Sequence, residues 1–376
     1  GDPWTWIERA LVVLVAASPC ALAIAVPVTV ISAVGSASKF GVVIKSGEAF
    51  EQLGTIRTVA LDKTGTLTRN EPTVVDVRPA PGINRDELLG WAAALEATST
   101  HPLAAAIVAA SPTTPTAADV IEEAGRGMTG RVDGRAVRAG NARWLDPAAL
   151  RDAAEEMASK GMTVVVVEAE GQIAGLIGVR DELRAESAET VRMLQAQGIE
   201  TVMLTGDNER TARAIAGEAG ITDVRAEQLP ADKAAAIETL VMTRPTAMVG
   251  DGINDAPALA TATVGIAMGL KGSAAAIESA DVAFTGHDLR LIPGALAHAR
   301  RGRRIMTVNI GLALAIIIGL FPLALFGVLG LAGVVLVHEV AEVIVILNGV
   351  RAARRPRSVP AAHDSASVKE PHLVSV

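Results

Sequence analysis

A single cysteine among 376 residues excludes an internal disulfide framework. Charge is missing from Ala10 to Ser38 and again from Ile305 to Val337. Each stretch exceeds the roughly 20 residues that cross a bilayer. The second is long enough for two helices if Pro322, Gly327, Gly330 and Gly333 mark a turn. Net positive charge is lacking too, and a formal charge of -7 argues against a general nucleic-acid binder. No GxxxxGK[ST] loop occurs, so a nucleotide would be handled by another scheme. Neither a basic n-region nor a small-residue cleavage site accompanies the first apolar run, so it is not a signal peptide. With Gly1 followed almost at once by that run, the chain reads as a piece truncated at its N-terminus.

Half of the residues are hydrophobic, and their uneven spread points to membrane segments beside soluble domains. Lys39 and Lys45 follow the first apolar stretch, Arg300, Arg301, Arg303 and Arg304 precede the second, and Arg351, Arg354, Arg355 and Arg357 follow it. The positive-inside rule then places these ends in the cytosol, with one helix running inward and a later hairpin. Between them, Thr58–Leu61, Thr201–Leu204, Thr246–Val249 and Val264–Ala267 read as buried strands of a parallel sheet. Glu186–Gln197, Arg210–Ala219 and Asp232–Leu240 read as its helices. From Pro72 to Gly178 the pattern changes to an antiparallel sheet (Val132–Val137, Thr163–Ala169, Ile173–Ile177) with helices such as Glu87–Ala97. The expected organisation is a Ser-Pro-Cys membrane helix over 1–46 and a parallel-sheet domain over 47–71 and 179–299. An inserted α+β domain takes 72–178, a two-helix membrane hairpin 300–350 and a disordered tail 351–376.

Chemistry concentrates at strand ends. Asp62 closes the run Thr58–Leu61, where open α/β sheets bind ligands, and a carboxylate so placed can attack a phosphoryl group. Lys63, Thr64, Gly65, Thr66 and Thr68 follow, offering charge, N–H groups and hydroxyls to an anion. Thr205-Gly206-Asp207 opens a helix in a way that suits phosphate, and Lys233 begins a later one. Gly250-Asp251-Gly252-Ile253-Asn254-Asp255 puts carboxylates where Mg²⁺ wants oxygen ligands. One Asp before a helix is usually a cap. Four such signals in order, each at a strand's end, outweigh that reading.

Together they resemble the haloacid-dehalogenase-like superfamily, and within it the heavy-metal-translocating P-type ATPases. Asp62–Thr68 matches DKTGTLT, Thr205–Asp207 matches TGD and Gly250–Pro257 matches GDGINDAP. The resemblance implies that Asp62 attacks the γ-phosphate of ATP, that Thr205, Gly206 and Lys233 contact phosphate, and that Asp251 holds Mg²⁺ with Asn254 and Asp255 completing the shell. Phosphatases of the superfamily carry a second aspartate two positions after the nucleophile, where this chain has Thr64, so a phosphoaspartate should persist. A membrane-anchored phosphatase is the alternative reading. No TGE actuator motif occurs, so the helices and actuator domain that supply it are expected upstream.

The same resemblance implies an adenosine site at Glu96, His101, Gly125, Gly127 and Asn141, built without an aromatic stack. A chain with no Tyr and five Phe suits that. Gly125–Gly130 also fits GxGxxG, but with no strand before it and no clear helix after it, a dinucleotide fingerprint fails on context. For the transported ion, Pro19 should free a carbonyl near Val15 in mid-helix, beside the Ser18 hydroxyl and the Cys20 thiol. His338 and Glu339 lie about 18 to 20 Å from Arg351 and Glu342 about 14 Å, too deep for easy snorkelling. His338-Glu339 with Ser-Pro-Cys resembles cobalt-type pumps, whereas Val340-Ala341-Glu342 departs from their GGT. Co²⁺, Zn²⁺, Cd²⁺ and Fe²⁺ all suit such ligands, and Cu⁺ suits them less. The expected setting is a bacterial plasma membrane.

Overall fold

The computed structural model describes residues 3–99, 101–123, 125–250, 255–269 and 278–355. Asp251, Asn254 and the tail from 356 lie outside the described residues.

Two helices come first, α1 (Pro3–Ala16) and α2 (Cys20–Ser38). The Ser-Pro-Cys segment is therefore not a kink in one helix but the break between two. Pro19 has no N–H to continue the ladder, and the Ser18 N–H takes the Val15 carbonyl at 3.1 Å. The carbonyl expected to be free is thus occupied.

The chain then enters a seven-stranded sheet through β1 (Val42–Ile44), α3 (Gly47–Leu53) and β2 (Thr58–Asp62). A second sheet follows, formed by β3 (Thr73–Pro79), β4 (Ala117–Glu123), β5 (Gly127–Val132), β6 (Arg135–Asn141), β7 (Thr163–Ala169) and β8 (Gln172–Arg180). It is antiparallel throughout, in the order β3-β8-β7-β6-β5-β4. Helices α4 (Arg85–Glu96), α5 (Pro102–Ala110) and α6 (Arg151–Ser159) accompany it. Val132–Val137, expected as one strand, is instead a hairpin turning at Asp133-Gly134. A strand does precede the GxGxxG run, but another strand follows, so no helix N-terminus faces a pyrophosphate.

The first sheet resumes with α7 (Ser187–Ala196), β9 (Glu200–Leu204), α8 (Glu209–Ala219), β10 (Asp223–Arg225) and α9 (Pro230–Thr243). It ends with β11 (Thr246–Gly250), α10 (Ala256–Thr261), β12 (Val264–Ala267) and β13 (Val282–Phe284). Its order is β1-β13-β12-β11-β2-β9-β10, parallel except for β1. Every residue of β2, β11 and β12 is buried, as strands covered on both faces require. Register aligns Asp62 with Leu204 and Leu61 with Val249, so the ends of β2, β9 and β11 come level.

Helix α11 (Leu291–Leu325) begins in the soluble core, where Leu296 and Ala299 pack with Phe50 and Leu53 of α3. It continues for 35 residues, roughly 52 Å. The boundary expected at 299/300 falls inside it. Residues 326–330 turn into α12 (Leu331–Val350), so Pro322 and Gly333 lie within helices rather than in the turn. Among the described residues, three helical segments are long and apolar enough to cross a membrane: Pro3–Ser38, Leu291–Leu325 and Leu331–Ala353.

Gly127 sits in β5 with φ +151°, where a Cβ would lie 2.1 Å from the Ala139 carbonyl oxygen. Its role is to let β5 and β6 close. Gly127→Ala should therefore destabilise the inserted sheet by about 2 kcal/mol or more, read as a lowered midpoint in thermal unfolding.

Candidate active site

Asp62 is the last residue of β2, 4% exposed, in the middle of the parallel sheet. The loop Lys63–Leu67 bends away through Thr64 in extended conformation and Gly65 at φ +73°. Thr64 faces solvent, while Lys63, Gly65, Thr66 and Leu67 are buried. The returning chain holds this loop. Arg184 donates from Nε to the Thr66 carbonyl and from Nη2 to the Gly65 carbonyl, each at 3.0 Å. The Ser187 hydroxyl donates to the Leu67 carbonyl at 2.7 Å, and the Thr68 hydroxyl to Asp181 Oδ2 at 2.5 Å. Asp181, Arg184 and Ser187 escaped sequence reading. Their one signal is an Asp-x-x-Arg placed where the chain re-enters the parallel sheet.

Two lysines set the electrostatics. Lys233 Nζ lies 2.5 Å from Asp62 Oδ1 and 2.8 Å from Asp255 Oδ1. Burial opposes its charge, but the two carboxylates outweigh burial and raise its pKa, so the ammonium stays ionised. Lys63 Nζ meets Asp207 Oδ2 at 2.6 Å rather than standing free for an anion. The Thr205–Asp207 loop is closed by its own side chain, with Asp207 N–H donating to Thr205 Oγ1 at 3.1 Å. It is also cradled from below, where Glu227 N–H donates to the Asp207 carbonyl and Gln228 N–H to the Thr205 carbonyl. Thr66 Oγ1, in the loop after Asp62, is buried without a partner among the described residues.

A cleft of about 1640 Å³ runs between the two sheets. It is lined by Asp62, Lys63, Thr64, Thr205, Gly206, Asp207, Lys233 and Asp255 on one side and by His101 and Asn141 on the other. His101 Nδ1 accepts from Leu103 N–H at 3.2 Å and caps α5. That assignment leaves Nε2–H as a donor. Asn141 Nδ2 donates to the Gly125 carbonyl at 2.9 Å, and both line an adjoining cleft of about 510 Å³. Glu96 and Gly127 are not among the lining residues of either. Glu96 is nonetheless perturbed, its pKa raised to about 7 by burial and then by Glu122.

The membrane residues gather less tightly. Ser18 Oγ and Cys20 Sγ are 3.1 Å apart at the break. Val334 packs with Val12 and Ala16, and Val345 with Ala21 and Ala25. The buried stripe of α12 between them, His338 and Ala341, therefore lies level with the break. His338 Nε2 is buried without a partner among the described residues, Glu342 is half-buried and Glu339 is exposed. Among the described residues no three His, Cys, Asp or Glu side chains are grouped closely enough to hold a metal.

Two consequences are measurable. Lys233→Met removes the ammonium shared by the buried Asp62 and Asp255 carboxylates and should cost about 3 kcal/mol at neutral pH. Adding Asp62→Asn should recover much of that loss in denaturant unfolding. For Glu96, a raised pKa means that its contribution to stability is present below the usual carboxylate range and lost as pH rises towards 7. Glu96→Gln should therefore raise the unfolding midpoint at pH 8, by roughly 1 kcal/mol after allowance for partial exposure, and change little at pH 4.

The haloacid dehalogenase-like hydrolase family profile matches residues 56–263. The chain is 60% identical over 354 residues to a "Probable cation-transporting ATPase G" of Mycobacterium tuberculosis (strain ATCC 25618 / H37Rv), covering 94% of this chain and 46% of that protein. It is 42% identical over 355 residues to a "Zinc/cadmium/lead-transporting P-type ATPase" of Escherichia coli (strain K12), covering 93% and 48%. The chain thus spans about half the length of these relatives. Among solved structures, a zinc-transporting PIB-type ATPase in the E2.Pi state superposes with TM-score 0.77 at 40% identity, over 94% of this chain and 59% of that one. The catalytic domain of the CPx-ATPase CopB-B superposes with TM-score 0.55 at 27% identity, over 68% and 97%. Asp62, the loop after it and the strands that align them all fall inside the matched segment, and the chain belongs to the haloacid dehalogenase-like hydrolase family, as a relative of heavy-metal P-type ATPases.

Proposed function

We propose that the chain is the ATP-consuming half of a divalent-metal efflux pump that works through an aspartyl phosphate. The observation that carries this is Asp62, held against Lys233 Nζ at 2.5 Å at the foot of a cleft that the inserted domain closes from above. A nucleotide lying from His101 and Asn141 down to Thr205 brings its γ-phosphate to Asp62. An Asp62 oxygen then bonds to the γ-phosphorus, and the bond to the β,γ-bridging oxygen breaks with its electron pair, leaving ADP. Lys233 and the N–H groups of the Thr205–Asp207 loop oppose the charge that spreads over the transferring oxygens. The unpartnered Thr66 hydroxyl is a further donor at the same end.

Mg²⁺ fits the donor set, because Asp62 and Asp255 oxygens converge closely enough to share one ammonium and Thr64 opens beside them. Asp62, Thr64 and Asp255, with Asp251, would hold the ion, which when bound supplies charge neutralisation for the transferred group. ADP release leaves the acyl phosphate without a base at position 64, which sets this site apart from a phosphatase.

The cargo we assign to Cys20, His338 and Glu342, with Ser18 and Glu339 at the margin, is Zn²⁺, Cd²⁺, Co²⁺ or Fe²⁺. The orphan His338 nitrogen supports this, since a buried polar atom among membrane helices calls for a partner. Helical ends rich in arginine support a multi-pass protein of a bacterial plasma membrane, with the soluble domains in the cytosol. Completion of the cycle would draw on an actuator and further helices of the same protein.

Incubation with radiolabelled Mg·ATP and acid quenching should leave an acid-stable, hydroxylamine-labile label on the chain. Asp62→Asn should lower that label at least a hundredfold. An undiminished label in that variant would refute the assignment of the nucleophile. For the cargo, Cys20→Ala in the complete protein should abolish stimulation of ATPase activity by divalent metals.

A further inference from the structure

Resting on the nucleotide reading above, we propose that Arg143 is the cation that moves onto the polyphosphate of the bound nucleotide, giving up Glu227 to do so. Five Lys and Arg side chains line the main cleft among the described residues. Four of them are engaged at short range. Lys63 holds Asp207, Lys233 holds Asp62 and Asp255, Arg151 holds Asp146 at 2.8 Å, and Arg210 holds Glu155 at 3.0 Å. Arg143 alone of the five is held loosely, by Glu227 at 3.9 Å, with its side chain 70% exposed. A triphosphate entering the cleft finds every other lining cation already neutralised.

The base of this arm is fixed while its tip is not. Asn141 Oδ1 accepts from the N–H groups of Arg143 and Trp144, each at 3.1 Å, and Asn141 is itself tied to the Gly125 carbonyl. The Trp144 ring lies 5.4 Å under the Arg138 guanidinium. The loop is therefore anchored just where its side chain must swing. Across the cleft, Glu227 holds a left-handed backbone at φ +56°, unusual for a non-glycine residue. Its N–H donates to the Asp207 carbonyl at 2.8 Å. Arg143, Gly206 and Glu227 line the same adjoining cleft. The resting partner of Arg143 is thus built into the turn that cradles the Thr205–Asp207 loop.

An exposed ion pair near the distance limit contributes little. A guanidinium placed against phosphate oxygens makes bidentate, charge-assisted bonds that are stronger. Nucleotide binding should therefore break the Arg143–Glu227 pair and tie the inserted domain to the phosphate side through the nucleotide instead.

Titration of the full chain with ATP, ADP and adenosine tests this. Arg143→Gln should weaken ATP about tenfold and ADP less, and should leave adenosine unchanged, which also shows that the variant is folded. Arg143→Lys should recover only part of the ATP affinity, because an ammonium lacks the fork. Glu227→Gln should act in the opposite direction, tightening ATP two- to threefold, and should add nothing when Arg143 is already Gln. Equal losses for ATP and adenosine in Arg143→Gln, or unchanged ATP affinity in a chain whose unaltered form binds ATP, would overturn the proposal. Failure of the unaltered chain to bind ATP would instead overturn the nucleotide reading, and the proposal with it.

Discussion

The ammonium of Lys233, set between Asp62 and Asp255, is the contact on which the rest of the structure depends. Both carboxylates are almost fully buried, and two like charges at such range cannot coexist in an apolar sheet without compensation. Lys233 supplies it from the first turn of α9, which starts at Pro230 with Asp232 accepting from the Leu229 N–H. The capped start of one helix thereby sets a cation against a strand's last residue. Stability and the proposed chemistry rest on the same two ion pairs.

From that point the structure transmits position outward through backbone carbonyls. Ile56, two residues before β2, offers its carbonyl to Arg300 Nη2 at 2.7 Å. The same guanidinium holds the Gln197 carbonyl just beyond α7 at 3.0 Å. Arg300 lies on α11, whose His298 Nε2 is 2.9 Å from the Ala33 carbonyl of α2. Further along, Asn309 donates to the Val345 carbonyl and accepts from Asn348, joining α11 to α12. One continuous helix is thus bonded to the root of the strand that ends in Asp62 and to the apolar helices α2 and α12 along its length. On the reading proposed above, these bonds would pass a shift of the Asp62 strand into the apolar helices.

Much of the catalytic half was legible in the sequence because its strands are buried on both faces. Continuous apolar runs such as Thr58–Leu61 and Thr246–Val249 have one reading when a glycine- or aspartate-rich turn follows. The inserted sheet was less legible. Strand β4 is largely exposed and reads as polar coil, while Asp133-Gly134 inside Val132–Val137 is a two-residue hairpin signal that the apolar pattern alone passes over. Strands β1 and β13, three residues each, fall below any periodic signal. Asp181 and Arg184 were invisible for another reason, since their partners at Thr68, Gly65 and Thr66 lie more than a hundred positions away. At Pro19, the sequence located the disturbance but not its extent. Whether a proline kinks or breaks a helix depends on what the next turn packs against, and the small residues Ala21 and Ala25 let α2 restart against α11 and α12.

On the reading proposed above, the lifetime of a phosphate on Asp62 would follow from what surrounds it. Hydrolysis needs a group that can take a proton from water, and carboxylates near the site are the natural candidates. Asp207 is bound to Lys63, Asp255 to Lys233, and Asp181 to the Thr68 hydroxyl and the Glu71 N–H. The position two residues beyond the nucleophile is a threonine, whose hydroxyl is no base at neutral pH. Each of these three carboxylates is committed to holding a loop around Asp62, and freeing one would loosen the geometry of that site. A site arranged this way would, on that reading, charge readily and discharge slowly, because among the described residues none of these carboxylates is free to take a proton from water.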